Sequence, residues 1–460
     1  MSEKSKVSIV KGKIPPDKTD IDRMVREAVN LAGGLTGNIK KGDHVVIKPN
    51  LFAPYPPPIS VDRRVVASMV KMAREAGAGR VTVIEGVSMG TLMKRVRPSL
   101  TPCAMSRGFK TREVMKMLGI TKAVEEAGGE VLGAEDAEKV EVDIPGGIAL
   151  HRVNYPKVVM DADFFINLPA MKTHTMTIVT LSIKNLQGLL DERGRYYSHR
   201  DDLQQHMVDI SKIRKPDLVL LDGLLAMEGD GAGEGGAAAE MGVIMASTDT
   251  VALDCIASMC MGIENPLVVS TTRLAGHDGL GTANPFLIDV VGTPVSEVKR
   301  KFQLPLTYTL PVDSLVTGLY PNIDIYIGGA CSACWLMAAL AEMQLAKIPQ
   351  RFSLIVGVDP KIPPKLKTDH AHTFFLGECA LATGGDLREL RNAMQLSGYD
   401  RFLGGCPPYE QSLVKLEDIL INMGYLDPQE LVDKAGKHRE EFFNYYRKYD
   451  PTWEPEHEPA

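Results

Sequence analysis

The chain has 460 residues, 44% of them hydrophobic and 24% charged, the balance of a globular protein with material for more than one buried core. Its 52 basic side chains against 58 acidic ones leave a net charge of −6, so a nucleic-acid partner, which needs a basic face, is not expected. No run of about 18 apolar residues occurs, and the N-terminal stretch lacks the apolar segment of a signal peptide, so a cytoplasmic protein with no membrane span is expected.

Taken in chain order, the first half alternates strands and helices. Strands fall at VVIKPN (45–50) and VTVIEG (81–86), short β-branched runs ending in polar residues or glycine. Between them, 61–79 has helical periodicity, with Val65, Val66, Met69, Val70 and Ala73 on one face and Gly77 and Gly79 at its end. A helix follows around 113–127, then strand FFINLP (164–169), a helical stretch near 178–190, strands DLVLLDG (217–223) and GVIMAS (242–247), and a helix over 248–261. This rhythm predicts an α/β fold, a mostly parallel sheet flanked by helices. Several strands are apolar throughout, as in a sheet covered on both faces.

Prolines at 285, 294, 305, 311 and 321 mark 285–322 as a linker or domain edge. The division is a first unit 1–303, a linker or strap 304–322, and a second, smaller α/β unit 323–460. That unit alternates strands 323–329, 352–359, 372–378 and 399–405 with helices 333–346, 386–397 and 409–422. The tail from Tyr446 is charged and Pro-rich, which predicts loose order.

Seven cysteines are too few for a disulfide scaffold in a reducing compartment. Cys103, Cys255 and Cys260 read as small buried hydrophobes. Cys331, Cys334, Cys379 and Cys406 differ, because each follows the end of a predicted strand. Parallel strands bring such ends to one edge, where ligands bind, so the four thiols would share a pocket. Four thiolates suit an iron–sulfur cluster, most simply 4Fe-4S, or a zinc ion. A structural zinc site more often uses two C-x-x-C knuckles, and one is present here, which favours the cluster.

Polar residues also gather at strand ends in the first unit. Lys48 and Asn50 end one strand. Asn167 ends another and leads to Lys172 and His174, while Lys184 and Asn185 sit on a short helical stretch. Three lysines, a histidine and asparagines at one sheet edge make a pocket for a phosphate or carboxylate. His174 is suited to moving a proton, and a desolvated lysine among cations to acting as base or amine nucleophile. Asp222, Glu228, Asp230 and Asp249 offer carboxylate oxygens to substrate or Mg²⁺, or serve as turn and N-cap residues, and both readings stay open. The glycine run 229–236 fits G-x-G-x-x-G from Gly231 but neither follows a strand directly nor leads into a clear helix. It reads as a loop that closes over a ligand. No G-K-[ST] occurs, which excludes a P-loop.

In this order, VVIKPN, NLPAMKTH, LSIKNLQG, LLDGLLAMEGDGAGEGG and MASTDTVALDCIA resemble the domain of unknown function 362 family over about residues 40–262. The resemblance implies an α/β domain common in anaerobes and often accompanied by iron–sulfur ligands, and it supplies no reaction. This chain has no ferredoxin-type insert, and its cysteines lie in a separate C-terminal unit. The expectation is an iron–sulfur redox enzyme or electron-transfer protein acting on a small anion, with a redox partner protein and an oligomer both compatible. The alternatives are a non-redox lyase or transferase with structural zinc, and an iron–sulfur maturation or chaperone protein.

Overall fold

A computed structural model describes residues 4–86, 109–191, 194, 195, 198, 202–233, 235–309, 320–330, 332–367, 371–380, 389, 390, 392, 401–404, 416, 417 and 419–455. Cys103, Cys331 and Cys406, and most of the helices expected at 386–397 and 409–422, lie outside the described residues.

The first unit is built on strands β1 (Ser5–Lys11), β2 (His44–Pro49), β3 (Arg80–Glu85), β4 (Glu130–Gly133), a separate hairpin β5 (Lys139–Asp143) and β6 (Arg152–Pro156), then β7 (Phe164–Leu168), β8 (Ala170–His174), β9 (Ile178–Thr180), β10 (Leu218–Gly229), β11 (Gly236–Ser247) and β12 (Ile288–Gly292). Ten of these form one sheet, ordered β12-β1-β11-β10-β7-β2-β3-β4, with β8 on β10 and β9 on β8. The block from β10 through β7, β2 and β3 to β4 is parallel, as expected. The β10–β11 pair is instead a long antiparallel hairpin, and β11 also pairs antiparallel with β1. The unbroken apolar runs have a direct cause. On β2, Val45 and Ile47 join one core cluster while Val46 joins another on the opposite face.

Helix Arg63–Glu75 buries Val65, Val66, Met69, Val70 and Ala73, and Asp62 caps it by accepting from Arg64 N. The expected helix at 113–127 is two short ones, Thr111–Met117 and Ile120–Glu126, divided by Gly119 at φ +70. Around 178–190 the chain makes β9, then a helical turn Ser182–Asn185 and a 3-10 turn Leu186–Leu189. No helix among the described residues is long and apolar enough to cross a membrane.

Two organisational expectations need correction. The proline-marked segment from 285 is not a linker at its start. Pro285 opens a 3-10 turn, β12 pairs parallel with β1, and Ile288, Val298 and Phe302 enter the core. The second unit does contain a parallel sheet, β13 (Ile323–Ile327), β14 (Phe352–Val356), β15 (Thr373–Leu376) and β16 (Phe402–Leu403), in chain order, with helix Ser332–Leu345 after β13. The chain then returns to the first unit. Helix Pro428–Tyr449 lays Phe443, Tyr446 and Tyr449 into the first core, and Trp453, 1% exposed, follows them. The tail through 455 is therefore packed, because four aromatic rings outweigh its charged neighbours. Asp450 pairs with Arg63, and Trp453 Nε1 donates to the carbonyl of Leu118 at 3.2 Å.

Candidate functional site

The C-terminal ends of β2 and β3, the end of β8, the Ser182–Leu189 turns and the β10–β11 hairpin tip enclose a cavity of about 310 Å³. Lys48, Asn50, Lys172, His174, Lys184, Asn185 and Asp230 all line it. Strand parallelism brings Lys48 to this edge, and alternation along β8 puts Lys172 and His174 on one face. Asn167 stands just behind, accepting from Asn185 Nδ2 at 2.7 Å.

Lys48 and Lys172 are both 1% exposed, and their surroundings differ. Lys48 Nζ donates to Glu85 Oε2 at 2.6 Å and to Asn185 Oδ1 at 2.9 Å. Glu85 also accepts from the backbone N–H groups of Leu51 and Gly86. Burial pulls the Lys48 ammonium down and the Glu85 carboxyl up, and their mutual attraction opposes both shifts. Gly188 is required here by close approach, since a Cβ would sit 1.9 Å from Glu85 Oε1.

Lys172 Nζ donates to Asn50 Oδ1 at 2.6 Å and to the carbonyl of Ile59 at 2.7 Å. Among the described residues no carboxylate pairs with it. Burial first, then the charges of Lys184 and Lys48, lower its pKa to about 7. His174 Nδ1 accepts from the Met176 backbone N–H at 3.0 Å, so its neutral ring carries the hydrogen on Nε2. Lys184 Nζ donates to Gln187 Oε1 at 3.2 Å, and Arg195 Nη1 to the carbonyl of Gly86 at 2.6 Å. Phe52, Tyr55 and Ile59 add apolar side chains to the lining.

Three proposed substrate or Mg²⁺ ligands are elsewhere. Asp222 is buried against the backbone N–H groups of Asp62 and Leu224, and burial and the Asp62 charge push its carboxyl up to about 7. Glu228 pairs with Arg300 and accepts from Gln303 N. Asp249 caps helix Thr250–Cys260, accepting from Val251 and Ala252 N. These carboxylates serve as turn, pair and cap residues, and no cluster of three or more metal-ligating side chains occurs among the described residues. The G-x-G-x-x-G run is the hairpin tip between β10 and β11. Thr173 Oγ1 donates to the carbonyl of Gly229, and Thr175 N to that of Gly231. It therefore packs beside β8 as a fixed wall.

Glu85, Gln187 and Arg195 went unassigned in the sequence reading. Glu85 had a signal: an acidic residue closing a mostly apolar strand directly beside the one that carries Lys48. Arg195 had none. A second support is equally remote in sequence. Loop 50–62, which carries both acceptors of Lys172, is held by Tyr446 Oη donating to Asp62 Oδ2 at 2.9 Å and by an edge-on Tyr55–Phe442 contact at 5.8 Å.

In the second unit, Cys334 lies in the first turn of the helix after β13, and Cys379 in the turn Glu378–Ala380 after β15. Parallel pairing puts both segments at the C-terminal edge of that sheet. Cys255 and Cys260 are fully buried, and burial pushes both thiols up to about 12, as inert core residues.

Among known proteins, the chain is 27% identical over 297 residues to the thylakoid-associated protein sll1697 of Synechocystis sp., covering 63% of this chain and 84% of that one. Among solved structures it is similar to the lactate racemase apoprotein of Thermoanaerobacterium thermosaccharolyticum, at TM-score 0.36 and 13% identity over 57% of this chain and 58% of that one. A protein from Thermotoga maritima aligns at TM-score 0.29 and 13% identity, over 58% of this chain and 61% of that one. Residues 45–259, which carry β2 through most of helix Thr250–Cys260 and every lysine of the cavity, match the family model described as Domain of unknown function (DUF362), and the chain carries that domain.

Proposed function

We propose that this chain is an enzyme acting on a small carboxylate- or phosphate-bearing molecule in the first unit's cavity, with Lys172 as its reactive amine. The observation that carries this reading is Lys172 itself: wholly buried, without a carboxylate partner among the described residues, facing a cavity that also holds Lys184, Arg195 and the Glu85-paired Lys48. A buried, unpaired lysine costs stability, and lowering its pKa makes it a base near neutrality, a combination found at functional sites. Lys184 and Arg195 would hold the anion, and Lys48, neutralised by Glu85, would shape the floor. Calorimetric titration with phosphate, sulfate and malonate tests this. Binding that weakens about tenfold in Lys184→Met, the worth of one charge-assisted contact, is expected. No binding of any of the three would sink it.

For the second unit we propose that Cys331, Cys334, Cys379 and Cys406 hold an iron–sulfur cluster, most simply 4Fe-4S, making the chain a redox enzyme or the client of a redox partner protein. What supports this is the donor chemistry together with the edge that Cys334 and Cys379 share. A bound cluster would supply or accept electrons. Zinc is the other ion the same thiolates would take. Iron, sulfide and zinc analysis of anaerobically purified protein separates the two, and full metal loading in every single Cys→Ser variant would refute both.

A further inference from the structure

We infer that Lys172 forms a covalent imine with the carbonyl carbon of a small oxo acid whose carboxylate rests on the cationic side of the cavity. This rests on the reading of the cavity as a site for small anions and adds the bond that is made there. An uncharged amine has two hydrogens and one lone pair. Asn50 Oδ1 and the Ile59 carbonyl take both hydrogens, at 2.6 and 2.7 Å, and Lys172 lines the cavity, so the lone pair is left for a ligand. Burial and the neighbouring lysines keep a large share of that amine uncharged at neutral pH. His174, two residues along the same strand face, carries its hydrogen on Nε2 in the neutral ring and lines the same space. Lys184 and Arg195 complement a carboxylate, and about 310 Å³ accommodates an acid of a few carbons.

The step balances without an oxidant or reductant. The Nζ lone pair forms the N–C bond while the carbonyl π pair moves to oxygen, where the His174 Nε2–H donates a hydrogen bond. One proton then passes from the new ammonium nitrogen through solvent water to that oxygen, giving a neutral carbinolamine. A second proton, from solvent, turns the hydroxyl into water, the C–O bond breaks as the nitrogen lone pair forms C=N, and the protonated imine returns that proton to solvent when it becomes neutral. The sum is amine plus ketone or aldehyde giving imine plus water. The protonated imine is an electron sink for breaking a C–H or C–C bond at the adjoining carbon.

Trapping is the test. The full-length protein is incubated at pH 7 with pyruvate or glyoxylate and cyanoborohydride, then mapped by peptide mass spectrometry. The expected result is one reduced adduct at Lys172, forming about a hundredfold faster than at exposed Lys41, given the larger uncharged fraction of the buried amine. Lys172→Arg should abolish it, and Lys184→Met should slow it about tenfold. Because the wild-type map compares lysines within one folded molecule, a variant that misfolds does not spoil the test. Adducts scattered over surface amines, with Lys172 no faster, would overturn the imine. Calorimetric binding of either oxo acid or of phosphate without an adduct would overturn the imine and leave the anion pocket standing. If neither oxo acid nor phosphate binds, both readings fall.

Discussion

The two ends of the cavity answer the same problem differently. At the β2–β3 end a buried lysine meets a buried glutamate, Lys48 to Glu85 at 2.6 Å, and backbone donors share the carboxylate. At the β8 end an equally buried lysine meets an amide oxygen and a carbonyl. The difference teaches what each is for. A compensated pair is fixed architecture, because neither charge can leave without stranding the other. An uncompensated lysine sheds its proton near neutrality and becomes a reagent.

The largest way to break this comparison is at the compensated end. Glu85→Gln strands the Lys48 charge and should cost about 3–5 kcal/mol in urea unfolding, while Glu85→Gln with Lys48→Met should recover most of it. A loss below about 1 kcal/mol would mean that the pair is not structural. A comparable effect is expected far away in sequence. Trp453→Ala should cost about 3–5 kcal/mol by emptying a core position of the first unit, measured in the same way.

The uncompensated end gives a pH signature. Lys172 titrates at about 7 in the folded chain against an ordinary 10.5, so between those values the unfolded chain holds a proton that the folded one lacks. Its burial penalty is fully present below pH 7 and fades as pH rises. Wild type should therefore gain up to about 5 kcal/mol over Lys172→Met between pH 7 and 10.5. Asp222 works in the opposite sense. With its carboxyl raised from 3.8 to about 7, wild type should lose stability relative to Asp222→Asn as pH rises through that window.

Much of this was legible in the residues. KPN and KTH directly after apolar strands, with LSIKN following, place three lysines at one edge once the strands are parallel, and parallelism follows from alternating strands and helices. Glu85 was readable from its strand end and was overlooked. The carboxylates Asp222, Glu228 and Asp249 were not separable, because a cap or turn residue looks like a ligand until its hydrogen-bond donors are known. Nor was the clamp by Tyr446 and Phe442, since contacts between residues nearly 400 apart have no local pattern. The proline-marked edge at 285 misled because Pro285 and Pro294 flank a strand that pairs with the N-terminus.

Smaller changes sharpen the same contrast. Asp249→Ala should lose about 1 kcal/mol of stability as a missing helix cap, with anion affinity unchanged, since it lies outside the cavity. Tyr446→Phe should cost about 1 kcal/mol and move the Lys172 titration by loosening the loop that holds its two acceptors. A stability loss with no change in that titration would leave Tyr446 a purely structural contact.

The most direct measurement is the titration of Lys172 itself. Carbon-13 dimethylation of the lysines, assigned with Lys172→Arg and followed by NMR from pH 5 to 11, reads each amine separately. A midpoint for Lys172 near 7 is expected, against the 10.5 of an ordinary lysine amine. A Lys172 midpoint at or above 10 would contradict it, leaving the β8 lysine an ordinary cation and the cavity without its reagent.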